Sequence, residues 1–292
     1  MTEITADEAN AEQVEFWNGE AGQEWVERDR QMRSTLRPIG EEAIAAALAQ
    51  SGEAVLDIGC GCADTSFALL DSVGATGRVL GVDISGPMLG SARSRAKQLS
   101  EELQSAIAFE HADASIYPFE AASFDLIFSR FGVMFFADPA AAFANMRKAL
   151  KPNGRIAFIC WAPVPENEWI TLPMSAAFQH VPRPEPLPPN SPGPFGLSDR
   201  EFTEQMLVDA GYTNINIVSS RPTMRFGHDI EQDRVADFFI EIGPVSRVLK
   251  ETPPDLQETV RLAIADVIMP HYDGKTVNLN ASCWIVTASN AA

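Results

Sequence analysis

Basic residues are scarce in this sequence. Its 292 residues include 22 lysines and arginines against 40 aspartates and glutamates, so the formal net charge is −18 at pH 7. A strongly negative protein repels the phosphates of nucleic acids and the headgroups of anionic lipids. We therefore expect no nucleic-acid partner and no membrane attachment for this chain.

Cysteine and histidine are also rare. The four cysteines form no C-x-x-C pair and the four histidines are scattered, so no metal site is predicted. The acidic N-terminal stretch lacks the apolar region of a signal peptide, and no uncharged apolar run reaches the roughly 18 residues of a membrane helix. These absences predict reduced thiols and a cytoplasmic location.

Strand-like apolar runs alternate with helical stretches between residues 41 and 161. The strand candidates there are EAVLDI, GRVLGVD, AIAFEHAD, FDLIFS and GRIAFICW. Strands that alternate with helices predict βαβ units and a parallel sheet. Two later candidates, TNINIVSS and ASCWIVTAS, bring the number of strands to seven. The predicted fold class is α/β, a Rossmann-like doubly wound seven-stranded sheet with helical cap insertions.

Composition divides the chain into six segments. Seven prolines within residues 182–194 exclude a helix or a central strand there. They predict a rigid surface connector, with a PxxP partner motif as the alternative. The predicted segments are an N-terminal helical segment (1–40), a core of alternating strands and helices (41–161), a proline-rich cap insertion (162–198), a core helix with strand six (199–220), a helical cap insertion (221–278) and the last core strand (279–292).

The most informative motif follows the first strand. Asp57 lies near the end of that strand, and Gly59 and Gly61 follow at alternate positions before a helix begins. Glycines there let the backbone turn sharply and approach a ligand. A dinucleotide site favours an electropositive phosphate pocket, whereas Asp64 places a carboxylate there. This disfavours an NAD-dependent oxidoreductase and suits a ligand with sulfonium and ammonium groups.

This stretch resembles the first motif of class I S-adenosylmethionine-dependent methyltransferases, with Ala63 in place of the third glycine. The resemblance is to the small-molecule type, like the quinone-biosynthesis group, and covers residues from about 12 to 161. It implies S-adenosylmethionine as the cofactor. It also implies that Asp83 binds the ribose hydroxyls, although a helix-capping role is the plainer alternative for such an aspartate.

The resemblance assigns further cofactor contacts along the chain. By the resemblance, residues 41–161 are the cofactor-binding core and residues 1–40 are an N-terminal helical lid. The loop after strand one contacts the methionine part of the cofactor, Asp113 binds the adenine amino group, and two tryptophans of the lid cover the site. The full set of implied cofactor-binding residues is Trp17, Trp25, Asp57, Gly59, Cys60, Gly61, Asp83, Ile84, Met88, Asp113, Ala114 and Ser129.

The residues after strands four and five predict an acceptor pocket. Its candidates are Arg130, Phe131, Phe135 and Trp161. The aromatic side chains could equally belong to the core, and Arg130 could form a salt bridge within the fold. A general base is needed only if the acceptor must lose a proton.

His271 and His180, in the two insertions, are the catalytic candidates for such a base, with a structural role as the alternative. The predicted function is methyl transfer from S-adenosylmethionine to a small-molecule acceptor by in-line displacement. A non-catalytic or repurposed S-adenosylmethionine-binding protein is the alternative. The oligomeric state stays open between monomer and dimer.

Overall fold

The computed structural model describes residues 6–228, 230–241, 244–249 and 252–291. The strands are β1 (Ala54–Ile58), β2 (Arg78–Asp83), β3 (Ile107–His111), β4 (Phe124–Arg130), β5 (Leu150–Trp161), β6 (Tyr212–Ser220), β7 (Thr223–Phe226), β8 (Val277–Asn280) and β9 (Cys283–Asn290). The helices are α1 (Ala11–Asn18), α2 (Glu20–Glu27), α3 (Asp29–Ala47), α4 (Asp64–Val73), α5 (Gly86–Ala96), α6 (Glu101–Ser105), α7 (Pro139–Arg147), α8 (Glu168–Ala177), α9 (Arg200–Asp209), α10 (Val235–Glu241), α11 (Pro244–Leu249) and α12 (Pro254–Ile268).

Seven of the described strands form one sheet in the order β3-β2-β1-β4-β5-β9-β6. The pairs between β3 and β5 are parallel, and β9 runs antiparallel to both of its neighbours. The predicted Rossmann-like α/β class is therefore confirmed. The strand order reverses between β1 and β4, and in open α/β sheets ligands bind at the carboxyl ends of the strands at such a switch point.

Every residue of the central strand β1 is buried, as expected for a parallel strand covered on both faces. Helix α4 packs on β1 and β2, and α5 packs on β3. Helix α3 crosses β4, β5 and β9, so it continues through residue 40, where the sequence analysis placed the boundary between lid and core. The lid boundary thus falls inside a helix that belongs to both parts.

The described residues within 162–198 and 221–282 form what we call the cap. It contains α8, α10, α11 and α12, with α12 packed on α8 and α10. The sequence analysis expected only helices in the second insertion, but β7 and β8 pair as a small antiparallel sheet. The proline-rich residues 182–188 adopt no helix or strand, as expected. Among the described helices, none combines the length and apolarity needed to cross a bilayer.

Candidate active site

The loop after β1, residues 59–63, makes a tight turn at the switch point. Gly59, Gly61 and Ala63 all have positive φ values, of 66°, 55° and 68°. A Cβ on Gly59 would lie 2.5 Å from the Cα of Gly132, which follows β4. The two loops therefore touch backbone to backbone and tolerate no side chain between them. The sequence analysis missed Gly132 because its partner is distant in the chain.

Asp57 is fully buried beneath this loop. Its Oδ2 accepts hydrogen bonds from Thr65 Oγ1 at 2.9 Å and Ser66 Oγ at 2.6 Å. Its Oδ1 has no hydrogen-bond partner within the part of the chain that is described. Burial raises the pKa of this carboxyl group to about 6, because the charged form loses its hydration.

Asp83 lies at the carboxyl end of β2, next to the loop. Its Oδ2 accepts from the Gly61 amide at 2.7 Å and its Oδ1 from the Ser85 amide at 2.8 Å. Burial raises the pKa of Asp83, and these amides oppose that shift. Each oxygen keeps further acceptor capacity, which suits a pair of hydroxyl groups. The ribose role of Asp83 stays a prediction, and its geometry is compatible with it.

Asp113 differs from Asp83 because the protein already uses its acceptors. Its Oδ1 accepts from the amide and hydroxyl of Ser115, and its Oδ2 accepts from the Asp7 amide and Asn10 Nδ2. A carboxylate has about four acceptor positions. In this conformation Asp113 therefore offers none to an adenine amino group, contrary to the sequence-based expectation. Ala114, beside it, accepts at its carbonyl from Asn145 Nδ2 at 3.2 Å.

The N-terminal helices close over the ends of β2 and β3. Asn18 Nδ2 donates to the Ile84 carbonyl and Asn18 Oδ1 accepts from the Gly86 amide. The Trp17 ring contacts Trp25 and Phe135 edge to face, at centroid distances of 5.8 and 5.6 Å. Trp17 therefore reaches Phe135 after β4, and Trp25 contacts Trp17. That the two tryptophans cover the cofactor stays a prediction, and the sequence analysis missed Asn10 and Asn18.

Buried side chains complete this edge of the sheet. Met88 packs against the loop after β1, with its sulfur 3.5 Å from the position of a Cβ on Gly61. Cys60 is buried, and burial raises the pKa of its thiol. Ser129 Oγ donates to the Ile58 carbonyl at 2.8 Å and so joins β4 to β1. The cofactor roles predicted for these three residues stay predictions.

Arginines flank the carboxylate of Asp64. Arg95 Nη2 lies 3.3 Å from Asp64 Oδ1, and Arg130 Nη1 lies 3.6 Å from Asp64 Oδ2. Only 15% of the Arg130 side chain is exposed. Burial lowers the pKa of Arg130, while the charges of Asp64 and Asp57 raise it. The negative charge at position 64, which disfavoured a phosphate ligand, is therefore compensated within the protein.

Aromatic rings lie side by side beyond β4 and β5. Phe131 stacks on Trp161 at 4.2 Å with an interplanar angle of 14°, and Trp161 contacts Trp169 at 4.8 Å. Phe131 has a φ of 66°, a conformation that is costly for a bulky residue and that clusters at functional sites. The predicted pocket residues Phe131 and Trp161 are thus brought together next to Gly132.

Asn167 supports this aromatic group and was not predicted. It is fully buried; its Nδ2 donates to the Ala162 carbonyl, and its Oδ1 accepts from Trp169 Nε1 and the Ser282 amide. One side chain thus connects the end of β5, the start of α8 and the approach to β9. The sequence does show an asparagine just before a helix, which could have indicated a capping role. Nothing in the sequence indicated that Asn167 also binds Ser282, which lies 115 positions later.

The two histidines predicted as bases lie elsewhere. His180 is exposed after α8, and His271 is partly exposed in a short 3₁₀ turn after α12. Within the described residues, no hydrogen bond or ring contact joins either histidine to the aromatic group or to the loop after β1. Their catalytic role stays a prediction without structural support. No cluster of metal-ligating side chains was found in the described ranges.

The residues at this edge of the sheet fit S-adenosylmethionine better than a nucleotide phosphate. Asp57 keeps an unused buried acceptor for a cationic group, and Asp83 keeps acceptors for hydroxyls. Glycines without side chains line the turn between them. Carboxylates at both positions match a cationic nucleoside and oppose an anionic one. The saturated Asp113 is the exception to this fit.

Residues 55–154 match the protein family described as a methyltransferase domain. The chain is 34% identical over 159 residues to aklanonic acid methyltransferase DauC of Streptomyces sp. (strain C5). This alignment covers 51% of this chain and 71% of that protein. It is 30% identical over 180 residues to the ubiquinone/menaquinone biosynthesis C-methyltransferase UbiE of Cellvibrio japonicus, covering 59% of this chain and 71% of that protein.

A demethylmenaquinone methyltransferase of Oceanobacillus iheyensis is 37% identical over 111 residues, 38% of this chain. The match spans 45% of that protein, slightly less than half of its length.

Solved structures of similar fold are more distant in sequence. The YcgJ protein of Bacillus subtilis aligns with a TM-score of 0.56 at 18% identity, covering 88% of this chain and 99% of that one. A phosphoethanolamine N-methyltransferase 2 of Haemonchus contortus, in complex with S-adenosylhomocysteine, aligns with a TM-score of 0.51 at 18% identity, covering 87% and 53%. At such identities the likeness concerns the fold alone. Because two named methyltransferases match at 30% identity or more over 71% of their own length, the chain belongs to the S-adenosylmethionine-dependent methyltransferases, and S-adenosylmethionine is its cofactor.

Proposed function

We propose that this protein transfers a methyl group from S-adenosylmethionine to a planar, largely apolar small molecule, with quinols as the leading acceptor class. The observation that carries the proposal is the stack of Phe131 on Trp161, which lies directly beyond the Gly59–Gly132 contact. Flat aromatic faces bind flat ligands by offset stacking and by burial of apolar area. Relatives named for demethylmenaquinone, phytyl-naphthoquinone and aklanonic acid support this choice.

Positioning is the main task of the protein in such a reaction. When bound, the cofactor supplies a methyl group attached to a sulfonium sulfur, and this sulfur is left as a neutral thioether after the transfer. Asp83 would hold the hydroxyl groups of the cofactor, and Asp57 would offset its positive charge. Phe131 and Trp161 would orient the ring of the acceptor, and holding two reactants in line removes much of the entropic part of the barrier.

Exclusion of water is the second task. The Trp17 ring packs on Phe135, and the N-terminal helices cover the ends of β2 and β3. A closed site of this kind strengthens electrostatic interactions within it. A quinol must also lose a proton when it is methylated. No described contact joins His180 or His271 to the site, so the proposal assigns this proton to solvent water and gives the two histidines no step. Replacing each by Asn is expected to leave the dependence of rate on pH unchanged.

The acceptor class is tested by turnover of the full chain with quinols, monocyclic phenols and aliphatic amines. Quinols are expected to react fastest. Phe131→Leu should raise the KM for quinols about tenfold, since it removes roughly 1 to 1.5 kcal/mol of aromatic contact, and should leave the affinity for S-adenosylhomocysteine unchanged. Phe119→Leu, a matched change at the amino end of the sheet, is the control.

Turnover of aliphatic amines alone would contradict the planar acceptor. Tight binding of S-adenosylmethionine without methylation of any acceptor in the panel would favour the alternative, a repurposed cofactor-binding protein.

A further inference from the structure

Arg130 makes little use of its hydrogen-bonding capacity. A guanidinium carries five N–H donors, yet the contact that the structure shows for Arg130 within the described residues is a loose ion pair of 3.6 Å to Asp64. The side chain is largely buried beyond the end of β4. This arrangement is therefore typical of an anion-binding arginine.

Asp57 presents the opposite charge on the same face of the sheet. Asp57 pairs with Phe128 in the parallel ladder, and Arg130 follows Phe128 by two residues, so all three side chains share a face. Asp57 Oδ1 is buried and has no partner among the described residues. An unused acceptor and unused donors thus face one region at the switch point, and together they match the ammonium and the carboxylate of an amino acid.

The neighbouring charges do not need Arg130. Asp64 already pairs with Arg95 at 3.3 Å, and Arg95 is held in place by the Cys62 carbonyl and by the ring of Phe67. Asp57 is anchored by two hydroxyl groups from α4. The structure shows no ion pair between Asp57 and Arg130. The ion pair with Asp64 therefore does not by itself account for Arg130, because Asp64 already has Arg95 as a closer partner.

Helix α3 leaves room for the guanidinium. A Cβ on Gly40 would lie 3.1 Å from Arg130 Nη1 and 3.5 Å from its Cδ. Gly40 has an ordinary helical conformation, and glycine in a helix costs roughly 1 kcal/mol relative to alanine. The space beside Arg130 thus comes at some expense in helix stability, and a side chain at position 40 would crowd the arginine.

We propose that Arg130 binds the carboxylate at the amino-acid end of S-adenosylmethionine, while Asp57 faces the ammonium group. Arg130 is then a positioning residue for the methyl donor and does not belong to the acceptor pocket, where the sequence analysis placed it. A bidentate guanidinium–carboxylate pair fixes orientation as well as distance. The inference rests on the cofactor and is independent of which acceptor is methylated.

Two nucleoside ligands separate this role from others. S-adenosylhomocysteine carries the amino acid, whereas 5′-methylthioadenosine has the same nucleoside and thioether without it. In calorimetric titrations of the full chain, Arg130→Met should weaken S-adenosylhomocysteine binding roughly 10- to 100-fold, the range for a lost charged hydrogen bond. The affinity for methylthioadenosine should stay unchanged. Arg95→Met, the matched control at the other side of Asp64, should change both affinities by the same factor.

The parent protein offers a test that needs no variant. It should bind decarboxylated S-adenosylmethionine at least tenfold more weakly than S-adenosylmethionine, and Arg130→Lys, which keeps the charge, should reduce that discrimination only in part. An equal loss for both nucleosides in Arg130→Met, or equal affinity of the parent for the two sulfonium ligands, would overturn the proposal. So would an unchanged S-adenosylhomocysteine affinity with a raised acceptor KM. Failure of the parent to bind any of these ligands would instead contradict the cofactor itself.

Discussion

The edge of the sheet where the cofactor residues lie and the cap over it are held by contacts of different range. Asp57 is anchored by residues eight and nine positions away, and Asp83 by an amide 22 positions away. In the cap, Asn167 binds an amide 115 positions later, and Thr35 of α3 donates to a carbonyl of β7 190 positions later. The carboxylates Asp57 and Asp83 are thus anchored by groups nearby in the sequence, while the cap depends on contacts that form only in the assembled fold.

The two regions also differ in chemistry. The edge proposed to hold the cofactor presents carboxylates and backbone amides, whereas the proposed acceptor side presents stacked aromatic rings. Damage to one region should therefore leave the binding properties of the other intact, and this separation can be tested.

The backbone contact between the loops after β1 and β4 should show the largest effect. In Gly132→Ala the new Cβ would lie 2.7 Å from the Gly59 Cα and from the Ile58 carbonyl oxygen. We expect the free energy of unfolding to fall by roughly 3 to 5 kcal/mol, together with cofactor affinity. Gly90→Ala, which meets nothing within 4 Å on α5, should instead raise it by about 0.5 to 1 kcal/mol. Equal denaturant midpoints for the two variants would refute the contact.

Asp57 should make stability depend on pH. Its pKa is about 6 in the folded chain and 3.8 ordinarily, so the folded state binds the proton more tightly. The resulting stabilisation is present below pH 4 and is lost as pH rises through about 6, amounting to about 3 kcal/mol. Asp57→Asn should not show this loss. The free energy of unfolding of the variant minus that of the parent should therefore increase from pH 4 to pH 7, measured without cofactor. Parallel pH profiles would contradict the assignment.

Asn167 tests the cap. Asn167→Ala leaves polar groups of the residue after β5, of α8 and of the residue before β9 without this partner, so we expect a loss of about 2 to 3 kcal/mol in unfolding free energy. The acceptor KM should rise while the affinity for S-adenosylhomocysteine stays the same. Asn216→Ala, on the exposed edge strand β6, is the control. A matching loss of cofactor affinity would mean that the two regions are not separable.

Asp83 tests the opposite side of the comparison. Asp83→Ala should weaken S-adenosylhomocysteine binding by about 1.5 to 3 kcal/mol, because a charged acceptor of two hydroxyl groups is lost. The stacking of Phe131 on Trp161 should persist, so the acceptor KM is expected to change little. Asp71→Ala, on the exposed face of α4, controls for the loss of one negative charge. Unaltered binding in calorimetry would refute the ribose role.

Ala63 should show the smallest effect. It replaces the third glycine of the motif and holds a left-handed conformation with a φ of 68°. Ala63→Gly should relieve this strain and raise the free energy of unfolding by about 1 kcal/mol. Binding of S-adenosylhomocysteine should not change, since the side chain is buried beneath the turn. A loss of stability would show that the turn does not strain alanine.

Local features of the chain were predictable from sequence. An apolar strand that ends in a carboxylate and is followed by alternate glycines has few possible conformations, so the turn after β1 and the positions of Asp57 and Asp83 followed directly. The alternation of strands and helices likewise predicted the sheet, because parallel strands need long crossovers. Patterns with a period of a few residues carry this information.

Only the tertiary structure decided which distant residues contact one another. Residue 40 does not separate the lid from the core, because α3 runs through it to Ala47 and packs on the sheet. The sequence analysis missed β7 because a strand of four residues is recognisable only beside its partner β8. Asp113 looked like an available acceptor until Asn10, 103 residues earlier, was seen to occupy it. The sequence by itself determined the sheet and the turn, since these depend on neighbours along the chain, and its resemblance to a known family indicated the cofactor. Which donors and acceptors remain unused depends on groups that meet only when the chain is folded.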